Sequence, residues 1–372
     1  MDKIIFFATL IVFPFGQLFK IGQVNIFDAL IVLLAVVTLL QKPKFPNWYK
    51  YFFYFILVCL FSLLFNYQLF ELKSVLYLIR LASYSLVAVF IYNHLNDKDK
   101  LFKQLLGGVE IENKLIWLSL ASAVFGWIQY LIWPDLTFLK YLGWDDHLLR
   151  MVGTFLDPTY LGLILVLGVI LALKNKMYLA VIFLSLSVLF TYSRSSYLIL
   201  FVVFLFNFIK NKESLVLRSK KFLLLSSLFL VIFLLPKNIG EGTTLTRTVS
   251  GNSKLINYME TIEIIKKSPV LGVGFNNICN AREVYLGDTN TESHGCNGAD
   301  SSSLFLIATT GVVGLILFVN FVTKVPMSYA LITSFFVVLI HGLFANSLFY
   351  PHIMFWLFAL LGLKTKGDSQ RS

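Results

Sequence analysis

The sequence predicts an all-α protein, a polytopic bundle of about 12 transmembrane helices with one long extracytoplasmic loop that contains a short amphipathic helix. Three observations predict this class. The chain of 372 residues is 58% hydrophobic and only 14% charged, with a mean hydropathy of +0.78, which is typical of a polytopic membrane protein. Its apolar residues collect in runs close to the ~20 residues that a membrane-spanning helix needs. Its polar residues concentrate in one stretch, 237–302, which we interpret as a loop inserted into a single integral membrane domain, 1–372.

Twelve apolar runs alternate with short polar breaks along the chain. The first run contains Pro14 and Gly16 and lacks a small-x-small cleavage site, so it predicts a retained helix rather than a signal peptide. The break at 192–196 is so short that it predicts either a tight hairpin or a broken helix. The runs lie at 4–20, 24–40, 48–66, 72–92, 115–133, 155–173, 177–192, 195–209, 222–236, 303–323, 326–343 and 345–363.

The distribution of lysine and arginine predicts the orientation of the bundle. The short loops of one side hold 19 of these residues and those of the other side hold 5. Because cytoplasmic loops carry the excess of positive charge, both termini should be cytoplasmic and the long loop should lie outside. The basic residues sit between apolar runs and form no patch with interleaved aromatics, which argues against nucleic-acid binding despite the net charge of +11.

The sequence contains no motif for a nucleotide, a metal or a serine nucleophile. It has no G-x-x-x-x-G-K-[ST], no H-E-x-x-H or C-x-x-C, and no G-x-S-x-G. A domain that binds and hydrolyses ATP is therefore not expected within the chain. We predict no cofactor and no metal.

Two charged residues fall inside or beside apolar runs, where charge is costly. Arg80, in YLIRLASY, either faces a polar cavity or serves as a structural residue that snorkels or pairs with an acid. Asp28, in VNIFDAL, is interpreted as a helix cap or an interfacial residue.

Three residues mark the outer ends of the middle helices. The Asp157-Pro158 pair is a strong turn signal and places Asp157 and Arg150 at the outer mouth of the sixth run. Arg194 lies between two apolar runs in TYSRSSY, among hydroxyl residues. A guanidinium there can bind phosphate oxygens in bidentate geometry. The alternative is an ordinary exposed arginine at a helix end.

The long loop contains an amphipathic segment. Leu255, Tyr258 or Met259, Ile262 and Ile265 recur at helical spacing, which predicts a helix on the membrane surface or against the bundle. Pro269 helps to end it.

Four charged or titratable residues flank the amphipathic segment. Arg247 and Lys254 lie at its start, and His294 and Asp300 follow it. Each alone would be an ordinary solvated loop residue. Together, in a segment tethered to the outer face, they favour a site for an anionic lipid headgroup.

The loop also holds two of the three cysteines, Cys279 and Cys296. If it is extracytoplasmic, a disulfide between them can form; two free thiols are the alternative. Cys59 lies in an apolar run and is interpreted as a small core residue.

Three stretches together resemble the O-antigen ligase/polymerase superfamily of bacterial envelope enzymes. RMVGTFLDPTYLG (150–162) is similar to that family's GTF-x-NPN-x-LG segment, with Asp157 and Thr159 in place of the two asparagines. TYSRSSYLIL (191–200) is similar to its T-x-SR motif. SPVLGVG (268–274) and ADSSSLFLIATTGVVGL (299–315) resemble its P-x-x-GVG and HN-x-x-L motifs.

The resemblance implies an integral-membrane glycosyltransferase of the bacterial cytoplasmic membrane that needs no metal. Such an enzyme transfers a glycan from an undecaprenyl diphosphate carrier to a hydroxyl of a glycan, lipid or protein acceptor at the outer face. In cell-surface polysaccharide synthesis it would act as a ligase or a polymerase. Arg194 would then bind the diphosphate.

The resemblance also implies roles for other residues. Lys254 stands where the family often has an arginine, and Arg247 is an alternative. Arg150 would also contact substrate. The family's catalytic histidine falls on Asp300, so either Asp300 or His294 could be the general base. This departure leaves ligase and polymerase both open.

Two other functions fit parts of the pattern. A transporter or flippase for lipid-linked sugars would require a cation midway across the bilayer to bind the lipid phosphate, and Arg80 is the candidate at that depth. A non-catalytic assembly protein would use the long loop as a docking surface.

Overall fold

The computed structural model describes residues 1–21, 24–96, 108–210, 235, 243, 249–290, 296 and 298–363. Within these ranges the chain forms thirteen α-helices and two small antiparallel strand pairs, β1 with β2 and β3 with β4. The helices are α1 Asp2–Val12, α2 Ile26–Leu40, α3 Tyr49–Phe65, α4 Leu72–Asn96, α5 Gly108–Ile132, α6 Pro158–Lys174, α7 Tyr178–Phe190, α8 Arg194–Lys210, α9 Val249–Lys267, α10 Ile278–Leu286, α11 Ser302–Lys324, α12 Tyr329–His341 and α13 Pro351–Leu361. The strands are β1 Lys20–Ile21, β2 Val24–Asn25, β3 Asp135–Leu136 and β4 His147–Leu148.

The all-α class is confirmed, and the described helices follow the predicted apolar runs. Three of them, at Leu72–Leu95, Val109–Ile132 and Ser302–Lys324, are long and apolar enough to cross a membrane by length and composition. The other apolar helices are shorter. The predicted run 222–236 falls almost wholly outside the described residues. The count of about twelve spans and the long extracytoplasmic loop therefore stay predictions.

Helix α6 is the centre of the bundle. It packs against α5, α7, α8 and α12, and its side chains from Leu161 to Ala172 are buried. Gly162 and Gly168 let neighbouring helices approach closely. A methyl group at Gly162 would lie 2.3 Å from Ser196 Oγ, and one at Gly168 would lie 2.6 Å from Ser119 Oγ. Small residues at helix contacts are how membrane helices achieve close packing.

The outward face of α3 is apolar. On α3 the exposed side chains recur at helical spacing and form one stripe. A stripe of large apolar side chains turned away from the protein interior is suited to contact with lipid. The stripe comprises Phe53, Leu57, Leu60, Phe61 and Leu64.

Of the two interpretations of Asp28, helix capping is wrong, and placement at the membrane interface stays a prediction. Asn25 is the N-cap of α2, and its side chain accepts a hydrogen bond from the Phe27 amide. Asp28 is buried, and its carboxylate accepts hydrogen bonds from Arg80 Nη2 at 2.6 Å and from the Tyr84 hydroxyl at 2.8 Å. The packing of α2 on α4 thus pairs two charges, which lowers the cost of burying either. Of the two interpretations of Arg80, the structure favours pairing with an acid.

The loop SPVLGVG runs alongside a break in α11. Gly311 has φ +64° and ψ −168°, so the helix is interrupted there. The Val273 and Gly274 amides donate to the carbonyls of residues 308 and 309, and the amides of residues 312 and 313 donate to the carbonyls of Pro269 and Val270. The loop therefore satisfies backbone groups that the break would leave unpaired within the bundle. Two glycine-containing motifs far apart in sequence meet at this point.

Replacing Gly311 by alanine is expected to destabilise the protein by several kcal/mol. The added methyl group would lie 2.1 Å from the Val270 carbonyl oxygen, and φ is positive at this position. The thermal unfolding midpoint in detergent measures the effect.

Gly287→Ala is the matched control for this prediction. Gly287 has φ +70°, but no described atom lies within 4 Å of an added methyl group, so the substitution should cost only about 1 kcal/mol. Equal losses in the two variants would contradict the close packing of the loop on α11.

Candidate functional site

The break between α7 and α8 is held by Arg150. Helix α7 ends at Phe190 and α8 begins at Arg194, so the short polar break separates two helices. Arg150 is buried, and its Nε donates to the Thr191 carbonyl oxygen at 3.1 Å. The structure thus places Arg150 just before the start of α6, with its guanidinium turned toward backbone carbonyls. Its role as a substrate ligand stays a prediction.

His147, near Arg150, is buried in the neutral form. Neither ring nitrogen of His147 has a hydrogen-bond partner among the described residues. Burial and the nearby Arg150 charge lower the pKa of His147 to about 4. A histidine whose pKa is depressed on folding binds more protons in the unfolded state. Its contribution to stability is therefore complete above the unfolded pKa of about 6.5 and is lost as the pH falls toward 4.

We expect the thermal unfolding midpoint of the wild-type protein to decrease as the pH is lowered from 6.5 to 4.5, partly because unfolding lets His147 take up a proton. The free energy of unfolding lost once this effect is complete is about 3 kcal/mol. His147→Phe, which cannot titrate, should flatten this part of the profile. Unfolding midpoints of both proteins across this range measure the difference. Parallel profiles would show that His147 is not the group responsible.

Arg194 lies at the first residue of α8 with its side chain exposed. Ser193 Oγ accepts from the Ser196 amide at 3.4 Å, so a hydroxyl helps to cap the helix. The first turn of a helix presents backbone amides and the positive end of the helix dipole. An exposed guanidinium at such a terminus suits an anionic group.

Lys254 is anchored to the turn between α12 and α13, which we call the 342–350 turn. Its Nζ donates to the Phe344 carbonyl oxygen. One turn further along α9, the Tyr258 hydroxyl donates to the Leu343 carbonyl oxygen at 2.5 Å. The ammonium group has three donors, and one contact leaves capacity for an anion. Helix α9 thus brings Lys254 to the C-terminal end of α12.

Asp300 is held by Asn257 of α9. The Asp300 amide donates to Asn257 Oδ1 at 2.8 Å, and Asn257 Nδ2 donates to the Gly298 carbonyl oxygen at 3.1 Å. Asn257 is buried, so this clamp is fixed. Burial and the Asp300 carboxylate raise the pKa of Tyr258. Asp300 therefore lies within electrostatic range of the same α9 face that carries Lys254.

Asp300 also lies near α6. Its carboxylate lies within electrostatic range of the Tyr160 hydroxyl. The Tyr160 ring stacks on Tyr350, the last residue of the 342–350 turn, with centroids 3.9 Å apart. Asp157, as predicted, marks the start of α6, because its carboxylate accepts from the Thr159 amide at 2.6 Å. The first turn of α6, Asp300 and the end of the 342–350 turn thus lie together.

The 342–350 turn joins the predicted residues. The Ser302 amide at the start of α11 donates to the Gly342 carbonyl oxygen at 2.7 Å, and Ser302 Oγ accepts from the Leu348 amide at 3.0 Å. The turn therefore contacts the segment that bears Asp300, the helix that bears Lys254 and, through His341, the residue beside Arg194. Sequence reasoning missed His341, because a lone histidine at the end of an apolar run carries no motif.

Helix α9 is tied to α10 by charge. The buried Arg282 guanidinium donates to Glu260 and, at 2.7 Å, to Asp288. The hydrogen bond from Arg282 holds the pKa of Asp288 below the ordinary value. Cys279 and Cys296 form a disulfide, which is one of the two alternatives that the sequence left open. Both links restrain the chain just before Asp300.

The amphipathic helix is present as α9, but most of its predicted apolar face does not pack inward. Leu255, Met259 and Ile262 are exposed. The face that packs on α11 and on the segment before it includes Asn257 and Ile264. The prediction of a helix is confirmed. The face of α9 that packs against the rest of the protein is more polar than the predicted apolar face.

Two predicted residues, Arg247 and His294, lie outside the described residues. In the part of the chain that the structure covers, no three His, Cys, Asp or Glu residues come together as a metal site would require.

Comparison with known families identifies a match over the middle of the chain. The family model described as O-antigen ligase matches residues 179–319, from α7 into α11. The matched region contains Arg194, Lys254 and Asp300, together with Arg247 and His294. Arg150 and His341 lie outside it. No curated protein matches the chain.

Proposed function

Because residues 179–319 match the O-antigen ligase family, we propose that this chain is a membrane glycosyltransferase of cell-surface polysaccharide synthesis. It transfers a glycan from an undecaprenyl diphosphate carrier to an acceptor hydroxyl at the outer face of the bacterial cytoplasmic membrane. The observation that supports the proposal is that the segments bearing Arg194, Lys254 and Asp300 are all linked to the 342–350 turn, that of Arg194 through Ser195 and His341.

The reaction transfers a glycosyl group from the diphosphate to the acceptor oxygen and releases one proton. The acceptor oxygen forms a bond to the anomeric carbon of the donor glycan, and the bond from that carbon to the diphosphate oxygen breaks. The leaving undecaprenyl diphosphate keeps the electron pair, and the acceptor's proton passes to a base. No nucleotide is consumed, because the diphosphate linkage already activates the sugar.

The cations have a defined task in this scheme. Negative charge grows on the leaving diphosphate in the transition state, and fixed positive groups in a partly dry site stabilise it. Arg194, at the amino end of α8, can bind two phosphate oxygens at once. Lys254, held at the 342–350 turn, supplies a point charge. Arg247 is a further candidate ligand from the same loop.

Asp300 is our candidate for the base. A general base must reach the acceptor hydroxyl by a hydrogen bond. The clamp by Asn257 fixes the backbone of Asp300 beside α9, and its carboxylate is close enough to act electrostatically on the Tyr258 and Tyr160 hydroxyls. His294, which precedes Asp300 in the same loop, is the alternative base.

The test is transfer by the purified protein in nanodiscs. An undecaprenyl diphosphate-linked oligosaccharide is mixed with glycan, lipid and protein acceptors, without ATP or added metal, and products are separated by mass. Transfer that requires the protein supports the enzyme. Protein-dependent movement of the donor across a vesicle bilayer without transfer would favour a flippase. Neither activity, with assembly lost when the loop is shortened, would favour a docking protein. The acceptor that works decides between ligase and polymerase.

A further inference from the structure

His341 lies at the end of α12 and is fully buried between two serines. Its Nδ1 is 2.6 Å from Ser347 Oγ in the 342–350 turn, and its Nε2 is 3.1 Å from Ser195 Oγ in the first turn of α8. Ser195 is the residue next to Arg194. One imidazole thus connects the turn that holds Lys254 with the helix end that presents the exposed arginine.

The hydrogen bonds around His341 can form one chain with a single direction. Ser196 Oγ donates to Ser193 Oγ at 2.9 Å, and Ser193 and Ser195 Oγ are 3.2 Å apart. If Ser193 donates to Ser195, Ser195 donates to His341 Nε2. The Nδ1–H of His341 then donates to Ser347. Each hydroxyl in this order donates once, and the neutral ring uses one donor and one acceptor.

The chain ends at a group that cannot release a proton. Ser347 Oγ donates to the Ala345 carbonyl oxygen at 3.4 Å. A backbone carbonyl accepts a hydrogen bond but passes no proton onward, so the chain is not a route for the proton of the reaction. Its physical effect is to fix the first turn of α8 relative to the 342–350 turn.

We propose that His341 is a positioning residue that holds the start of α8 through Ser195 and thereby sets Arg194 against the carrier diphosphate. This inference rests on the proposed function and adds a residue outside the region matched by the family model. His341 is too buried to touch substrate, so it acts through Arg194.

Two substitutions separate the two contacts of the ring. Asparagine places its amide near the position of Nδ1, so His341→Asn keeps the contact with Ser347 and loses the contact with Ser195. Glutamine reaches the position of Nε2, so His341→Gln retains the contact with Ser195. Ser195→Ala removes the same link from the other side, and Ser195→Thr keeps the hydroxyl. Ser334→Ala is the control, since Ser334 is a buried serine seven residues earlier on α12 whose hydroxyl has no hydrogen-bond partner in the described part of the chain.

The readout is the Kd for undecaprenyl diphosphate in nanodiscs, together with the unfolding midpoint. His341→Asn and Ser195→Ala should each weaken binding about tenfold, the size of one lost hydrogen bond to a positioned group. His341→Gln, Ser195→Thr and Ser334→Ala should bind within about twofold of wild type. In an Arg194→Ala background, His341→Asn should have no further effect, because its action passes through the arginine.

Hydrogen exchange of the amides at 191–197 provides a readout that does not depend on substrate. Exchange there should rise in His341→Asn and stay near wild type in His341→Gln. Unchanged exchange and unchanged Kd in a folded His341→Asn protein would overturn the positioning role. Equal weakening by His341→Asn with and without Arg194 would also overturn it. If wild type itself does not bind the lipid diphosphate while the exchange result holds, the proposed function fails and the structural link remains.

Discussion

Arg194→Ala is expected to lower glycan transfer at least about a hundredfold while leaving the protein folded. Arg194 is exposed at the start of α8, so removing its side chain opens no cavity. Losing one positioned group that stabilises growing charge typically costs about 10²–10³ in rate. Arg194→Lys keeps the charge but loses the bidentate geometry, and we expect about a tenfold loss. Initial rates with the lipid-linked donor, in proteins with matched unfolding midpoints, measure both effects.

Lys140→Ala is the matched control for Arg194. Lys140 is also an exposed cation, in the loop between α5 and α6, but it is not near the 342–350 turn in any contact that the structure describes. It should transfer glycan at the wild-type rate. Equal rates for Arg194→Ala and Lys140→Ala would remove Arg194 from the site and, with it, the assignment of the diphosphate position.

Asp300→Asn is expected to lower kcat about 10²–10⁴-fold with little change in the Kd for undecaprenyl diphosphate. The amide cannot accept the acceptor's proton, and general base catalysis contributes roughly this factor. The Asp300 backbone amide, which donates to Asn257, is unchanged by the substitution, so the clamp should persist. Single-turnover rates at saturating donor, combined with binding measurements, separate chemistry from affinity.

His294→Ala is the informative partner of Asp300→Asn, since His294 is the alternative base. Asp146→Asn, an exposed acid in the loop between α5 and α6, is the control for loss of a carboxylate. Retained kcat in Asp300→Asn together with a loss in His294→Ala would move the base to His294. Retained kcat in both would mean that charge stabilisation alone accounts for the rate.

The candidate site was partly visible in the sequence. Arg194, Lys254 and Asp300 stood out because polar residues beside apolar runs are few, and because their motifs resemble a family in the same order. Which of these residues meet was not visible. Arg150 was predicted to bind substrate, which stays a prediction. Its hydrogen bond to the Thr191 carbonyl could not be foreseen, because no local pattern records which way a buried guanidinium points.

The sequence by itself determined the class of the protein and the position of its helices. Hydropathy and helical periodicity are local properties, so the apolar runs, the Asp157-Pro158 start of α6 and the existence of α9 could be read along the chain. Tertiary structure alone decided the pairing of Asp28 with Arg80, the inward face of α9 and the fit of Gly311 against Val270. It also decided the place of His341 beside Ser195, which are 146 positions apart. Such contacts depend on how helices pack and how turns cross between them, and side chains distant in sequence meet only after that packing is formed.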